Sequence, residues 1–233
     1  MSDKQKELSR RQFLKMVGGA AVGVAFGGAI PKLIDLGNGV IAIPASEGYL
    51  LVDTGKCAGC SSCMLACSLV HEGKENISLS RIQIIQNPFK NYPDDISMFQ
   101  CRQCTSPACV EACPTGALHI DKENGNVRTV DERKCIGCMQ CVEACPQTPS
   151  RVIWDFEDRH SQKCDLCTNT PFWDEQGGPD GKRACESVCP VGAIKFVKEI
   201  PTQYGNVGYD VNLRGPVWKD LGFDADSENR GGH

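Results

Sequence analysis

Sixteen cysteines carry the chemistry open to this chain, and all of them fall between Cys57 and Cys189. They form four quartets. The first is Cys57, Cys60, Cys63 and Cys67, and the second is Cys101, Cys104, Cys109 and Cys113. The third is Cys135, Cys138, Cys141 and Cys145, and the fourth is Cys164, Cys167, Cys185 and Cys189. The last three quartets end in C-x3-C-P, at Pro114, Pro146 and Pro190. Thiolates at two-residue intervals in a loop can wrap one face of an iron–sulfur cubane and leave one iron open. A fourth cysteine three residues further on, in a short helix pointing away, reaches a neighbouring cluster, and proline ends that helical turn.

Two other uses of cysteine compete with this one. Eight disulfides are arithmetically possible, but sulfurs crowded into tight C-x2-C-x2-C loops are poorly placed to bridge, and the repeated C-x3-C-P unit would have no reason. Zinc ribbons use two C-x2-C pairs with a spacer, and a third close cysteine departs from that pattern. The third quartet is instead the full C-x2-C-x2-C-x3-C-P run and resembles the motif of bacterial two-cluster ferredoxins.

The elements that position these loops must be short. Ala117 to Ile120 and Asn126 to Val130 read as strands joined by a turn containing Asn124-Gly125. They sit between the second and third quartets, so residues 96–156 read as one ferredoxin-like unit. Within it, Cys113 completes the third quartet's cluster and Cys145 the second's. The first and fourth quartets then pair across this insert, with Tyr49 to Asp53, Arg81 to Gln86 and Ala193 to Val197 as strands of an outer unit. The expected fold is α+β, with two nested ferredoxin-like modules whose short strands and helices surround four clusters. Residues 46–95 plus 157–200 form the outer module and 96–156 the inner one, with 201–233 as a C-terminal docking tail.

Composition agrees. Aromatic residues make up only 6% of the chain, so large side chains alone cannot fill its interior. From Ser46 onward 19 Lys and Arg face 26 Asp and Glu, and no basic stripe offers a nucleic-acid surface.

Residues 1–45 read as a targeting signal and linker. Lys4, Lys6, Arg10, Arg11 and Lys15 precede an uncharged run from Met16 to Ile30, a basic region followed by a short apolar one. Ser9-Arg10-Arg11-Gln12-Phe13-Leu14-Lys15 resembles the twin-arginine export signal at every specified position. That resemblance implies export of a folded protein with its cofactors installed, which lets metal-bound thiolates persist in an oxidising compartment. The expected location is the periplasm, at the outer face of the cytoplasmic membrane.

From about residue 49 to 200 the chain resembles the four-cluster iron–sulfur subunits of multisubunit oxidoreductases. Those subunits accompany molybdenum- or tungsten-pterin enzymes such as formate dehydrogenases, dimethyl sulfoxide reductases and aldehyde oxidoreductases. The resemblance implies four [4Fe-4S] clusters. One takes Cys57, Cys60, Cys63 and Cys189, and its outer partner takes Cys164, Cys167, Cys185 and Cys67. The inner pair takes Cys101, Cys104, Cys109 and Cys145, then Cys135, Cys138, Cys141 and Cys113. It further implies a catalytic partner of the molybdenum- or tungsten-pterin type, a membrane quinone-reactive or cytochrome subunit as a second partner, and no catalysis by this chain. Two features depart from the family pattern: Cys145 is followed by Pro-Gln-Thr-Pro, and the 168–184 insert is long. The competing functions are a free-standing exported polyferredoxin shuttle and a zinc-organised structural protein.

Other residues carry less. His71, His119, His160 and His233 are scattered and read as surface or loop residues. Lys56, Lys134 and Lys163 each precede a leading cysteine and Arg102 follows one, so they either offset cluster charge or lie over apolar surface. Trp154, Trp173 and Trp218 read as packing or interface residues. The insert, with Phe172 and Trp173, is expected to loop outward as a docking element, joined by Val211 to Trp218 in the tail.

Overall fold

The computed structural model describes residues 32–35, 40–92 and 95–201. The segment read as a twin-arginine signal, and the tail expected to dock, beyond residue 201, lie outside the described residues. The chain divides into two compact units, residues 1–45 and 46–233. The first contains an antiparallel hairpin, β1 (Lys32–Asp35) against β2 (Val40–Ile43), in a stretch expected to be linker. The signal was there to read: two apolar runs flank Gly37-Asn38-Gly39.

The second unit repeats one design four times. A strand leads into a cysteine loop, a helix follows, and a second strand leaves. The leading strands are β3 (Tyr49–Val52), β5 (Ile96–Gln100), β7 (Val127–Val130) and β9 (Ser161–Lys163). The leaving strands are β4 (Ile82–Gln86), β6 (Leu118–Asp121), β8 (Val152–Trp154) and β10 (Ile194–Val197). Each leaving strand pairs antiparallel with the next leading strand, and β10 closes the series on β3 with Ile194 opposite Val52. The β4–β5 and β8–β9 ladders thus join residues 46–95 and 157–200 to residues 96–156.

Local chemistry explains the hairpins. The Asp121 carboxylate accepts N–H bonds from Glu123 and Asn124, and the turn closes through positive φ at Gly125 and Asn126. The β8–β9 turn, which has no Asn-Gly signal, uses the same device: Asp155 accepts from Glu157 and Asp158, and Arg159 takes the left-handed conformation.

Three of the helices are single turns, Ala108–Glu111, Gln140–Glu143 and Ala184–Ser187. The first quartet differs, with an 11-residue helix, Ser62–Glu72, ending at Gly73 in the left-handed conformation. Cys63 and Cys67 lie four residues apart on it and so share a face. The main core is built around the sulfurs: Leu50, Val52, Ile82, Ile96, Met98 and Ile194 pack with Cys57, Cys63, Cys67, Cys101, Cys164 and Cys185. Among the described residues no helix is long and apolar enough to cross a membrane.

Candidate metal centres

The structure gathers the sixteen cysteines into four groups of four, all as free thiols. Cys101, Cys104, Cys109 and Cys145 line one cavity, and Cys113, Cys135, Cys138 and Cys141 line a second. Cys67, Cys164, Cys167 and Cys185 line a third. Cys57, Cys60, Cys63 and Cys189 stand close enough to raise the pKa of Cys63 by mutual repulsion. In every group three cysteines come from one quartet and the fourth from another.

Backbone conformation aims the loops. The third residue of each leading C-x2-C, namely Gly59, Gln103, Gly137 and Leu166, has positive φ. Its amide turns back toward the leading sulfur: Gly59 N–H donates to Cys57 Sγ at 3.4 Å and Gln103 N–H to Cys101 Sγ at 3.4 Å. Glycine takes this conformation freely, whereas Gln103 and Leu166 must be held in it. Gln103 is held at both ends of its amide, donating to the Cys164 carbonyl at 2.8 Å and accepting from Arg128 N–H at 2.8 Å.

The last cysteine of each quartet has its own donor at the start of the leaving strand. Arg81 N–H bonds Cys67 Sγ at 3.3 Å, Leu118 N–H bonds Cys113 at 3.3 Å, Arg151 N–H bonds Cys145 at 3.3 Å and Ala193 N–H bonds Cys189 at 3.2 Å. Hydrogen bonds of this kind orient a sulfur and stabilise its anionic form.

The donor sets fit iron–sulfur clusters. Burial, then repulsion between facing sulfurs, pushes Cys63 up to about 12, and burial together with the nearby Asp165 does the same to Cys167. Burial also raises Cys109 to about 11 and holds Cys164 and Cys185 well above the ordinary range. Such groups ionise together only around a cation, and an all-sulfur site suits iron–sulfur centres or zinc. Basic side chains gather at the cavity of Cys101, Cys104, Cys109 and Cys145. Arg102, Arg128, Arg151 and Lys163 also line it, and no carboxylate does. Such a basic lining favours an anionic centre, which four thiolates around zinc and around an iron–sulfur cluster both are.

The comparisons with known proteins favour iron–sulfur over zinc. Residues 49–114 and 95–199 each match a 4Fe-4S dicluster domain. Protein NrfC of Escherichia coli (strain K12) is 37% identical over 193 residues, which cover 81% of this chain and 79% of the relative. The chain belongs to the 4Fe-4S dicluster family. Another member is the thiosulfate reductase electron transfer subunit PhsB of Salmonella typhi, 35% identical over 161 residues that cover 65% of this chain and 76% of PhsB. The NADH-dependent phenylglyoxylate dehydrogenase subunit beta of Aromatoleum evansii is 36% identical over 170 residues, which cover 72% of this chain but only 32% of that subunit.

Two expectations change. His71 and His160 are buried rather than on the surface. His71 donates through Nδ1 to the Cys67 carbonyl at 2.8 Å and through Nε2 to Asp165 at 3.0 Å. Burial works against its charge, but Asp165 prevails and lifts its pKa to about 9. An aspartate inside Cys164-Asp165-Leu166-Cys167, beside sulfurs that become anionic, was the sequence signal for a buried cationic partner. Secondly, the 168–184 insert folds back on the cysteines. Trp173 packs with Val70, Cys167 and Ala184, Phe172 N–H bonds the Val70 carbonyl at 3.2 Å, and Gly178 N–H bonds the Leu166 carbonyl at 2.7 Å. Its polar positions, from Asn169 to Lys182, still face solvent, and among its aromatics Phe172 is 61% exposed.

Proposed function

We propose that this family member is the non-catalytic electron-transfer subunit of an exported oxidoreductase complex. It carries four [4Fe-4S] clusters in a line and links a molybdenum- or tungsten-pterin catalytic subunit to a quinone-reactive or other redox partner at the outer face of the cytoplasmic membrane. The ligands are Cys57, Cys60, Cys63 and Cys189; Cys67, Cys164, Cys167 and Cys185; Cys101, Cys104, Cys109 and Cys145; and Cys113, Cys135, Cys138 and Cys141.

The order of the groups carries this reading. Cys63 acts electrostatically on Cys185, linking the first group to the group of Cys67. Cys101 acts on Cys164, linking that group to the next. Cys109, Cys113, Cys141 and Cys145 share one apolar cluster, which links the last two. Exposed cysteines occur only at the two ends of this series, Cys60 in the first group and Cys138 in the last. A bound cubane takes up and releases a single electron at each position. The chain's own part is to hold the positions adjacent, to exclude water from the middle two groups and to open the series to solvent at two separate points.

Purification of the tagged chain from its host membranes tests this. The preparation is expected to be brown, to bleach with dithionite, to hold about 16 iron and about 16 sulfide per chain, and to bring down a chain containing molybdenum or tungsten. A count near eight iron overturns the four-cluster part, and a colourless zinc protein overturns the whole reading. A four-cluster chain that purifies alone removes the subunit role and leaves a shuttle.

A further inference from the structure

Charge is distributed unevenly along the four groups. Arg102, Arg128, Arg151 and Lys163 line the cavity of Cys101, Cys104, Cys109 and Cys145, and all four side chains are buried. No charged side chain lines the cavity of Cys113, Cys135, Cys138 and Cys141. The cavity of Cys67, Cys164, Cys167 and Cys185 has His71, Arg81 and Arg183, but Asp165 stands among them and pairs with both His71 and Arg81. Asp95 adds negative charge beside Cys57 in the first group.

Lys163 is the most intimate of these cations. It is 2% exposed, on β9, a strand whose three residues are all buried, so its ammonium cannot swing into water. It lines the cavity together with Cys101, Cys104, Cys109 and Cys145, and its charge acts on Cys101, Cys109 and Cys164. Lysines at the equivalent place before two other quartets do nothing similar. Lys134 pairs with Asp131 at 3.1 Å on the surface, and Lys56 reaches the Gly192 carbonyl at 3.3 Å.

We propose that Lys163 makes the cavity of Cys101, Cys104, Cys109 and Cys145 the most easily reduced position in the chain: an electron well one place in from the Cys138 end. This rests on the reading that each group holds a cluster. Adding an electron to an already anionic centre is opposed by the charge present, and a cation in contact offsets that opposition. Because Lys163 is buried, solvent and salt screen it weakly. Lys163 lines the cavity of Cys101 and not that of Cys164, which places the well on one side of the boundary between the two middle groups.

Potentiometric titration followed by electron paramagnetic resonance, on the whole chain with iron and sulfide assayed in parallel, tests the proposal. In Lys163→Met the highest-potential signal is expected to lose at least tenfold in its reduced-to-oxidised ratio at fixed ambient potential, a one-electron shift of about 59 mV, with iron per chain unchanged. Lys163→Arg is expected to restore most of the shift, Lys134→Met to produce none, and Cys109→Ala to remove that same signal. If Lys163→Met fails to retain iron, Lys163→Gln takes its place and must lower the same signal. The well is overturned if an iron-replete variant leaves the highest-potential signal unmoved, or if that signal survives Cys109→Ala. A wild-type chain that binds no iron strikes down the cluster reading instead.

Discussion

Arg81 and Asp165, 84 residues apart in sequence, form a buried ion pair at 2.9 Å. The pair ties the start of β4 to the loop of the fourth quartet. Arg81 N–H bonds the Cys67 sulfur, and Asp165 accepts the Cys167 N–H at 2.9 Å. One ion pair therefore sets the distance between Cys67 and the loop that supplies its three companions. Asp165 also bonds His71, so a single carboxylate faces two cations. These partners hold its own pKa well below the ordinary carboxylate range in spite of complete burial.

Removing that carboxylate leaves the buried His71 without its anion and Arg81 with only the longer pairs to Glu72 at 3.3 Å and Glu132 at 3.9 Å. Asp165→Asn is expected to destabilise the protein by about 3–5 kcal/mol, the cost of breaking a buried pair from one side. The measurement is the guanidinium midpoint for bleaching of the visible absorbance. Leu166→Ala, a cavity in the same loop, serves as a comparison at about 2–5 kcal/mol. If Asp165→Asn bleaches at the wild-type midpoint, the pair is not what holds the loop.

The exchange of cysteines between quartets gives a second prediction. Cys67→Ala and Cys185→Ala are expected to disturb one and the same electron paramagnetic resonance signal, although the two residues belong to the first and fourth quartets. Cys113→Ala and Cys141→Ala are expected to share a different one. Each variant loses about four of the iron atoms if only its own cubane is lost. Two separate signals within either pair would reject the grouping.

The cysteine groups were legible because a ligand set is a local pattern. Spacing alone puts three sulfurs of the first and third quartets in one loop each, and the full set of four groups is what the family resemblance implies. Strands with apolar alternation were legible too, at Ile82–Gln86 and Ile194–Val197. The hairpin Val152–Trp154 with Ser161–Lys163 was not. Its second strand, Ser-Gln-Lys, is polar and yet wholly buried, because it runs between two cysteine cavities rather than against an apolar core. The same reason hid Lys163. Lys56, Lys134 and Lys163 occupy equivalent sites in sequence, and only the tertiary position of β9 buries one of them. Arg128 and Gln103 went unnoticed on similar grounds: each is fully buried by contacts between segments distant in sequence.

Export can be tested without the structure. Replacing Arg10 and Arg11 together by Lys preserves the charge of the N-terminal region but removes the pair that resembles the twin-arginine signal. The cluster-loaded protein is expected to remain in the cytoplasm, as shown by fractionation and immunoblotting. Undiminished periplasmic protein would mean that the route is set by something other than this pair.

The insert separates cover from dock within a few residues. Trp173 packs on Val70, Cys167 and Ala184, and Arg183, at the end of the insert, lays its guanidinium over Phe196 and bonds the Gly178 carbonyl at 2.8 Å. These contacts seal the group of Cys67, Cys164, Cys167 and Cys185. Trp173→Ala is therefore expected to speed the bleaching of about one cluster's share of visible absorbance in air, about a quarter of the total for four clusters, while the remainder decays at the wild-type rate. Phe172 rests its ring near Gly73 and leaves its outer face in water, so it can be removed with little effect on the cover. Exposed aromatics on loops are frequent interface anchors. Phe172→Ala is expected to keep full iron and wild-type bleaching but to weaken co-purification with the catalytic chain. If Phe172→Ala bleaches early and keeps its partner, the tip belongs to the cover as well, and the docking surface lies elsewhere.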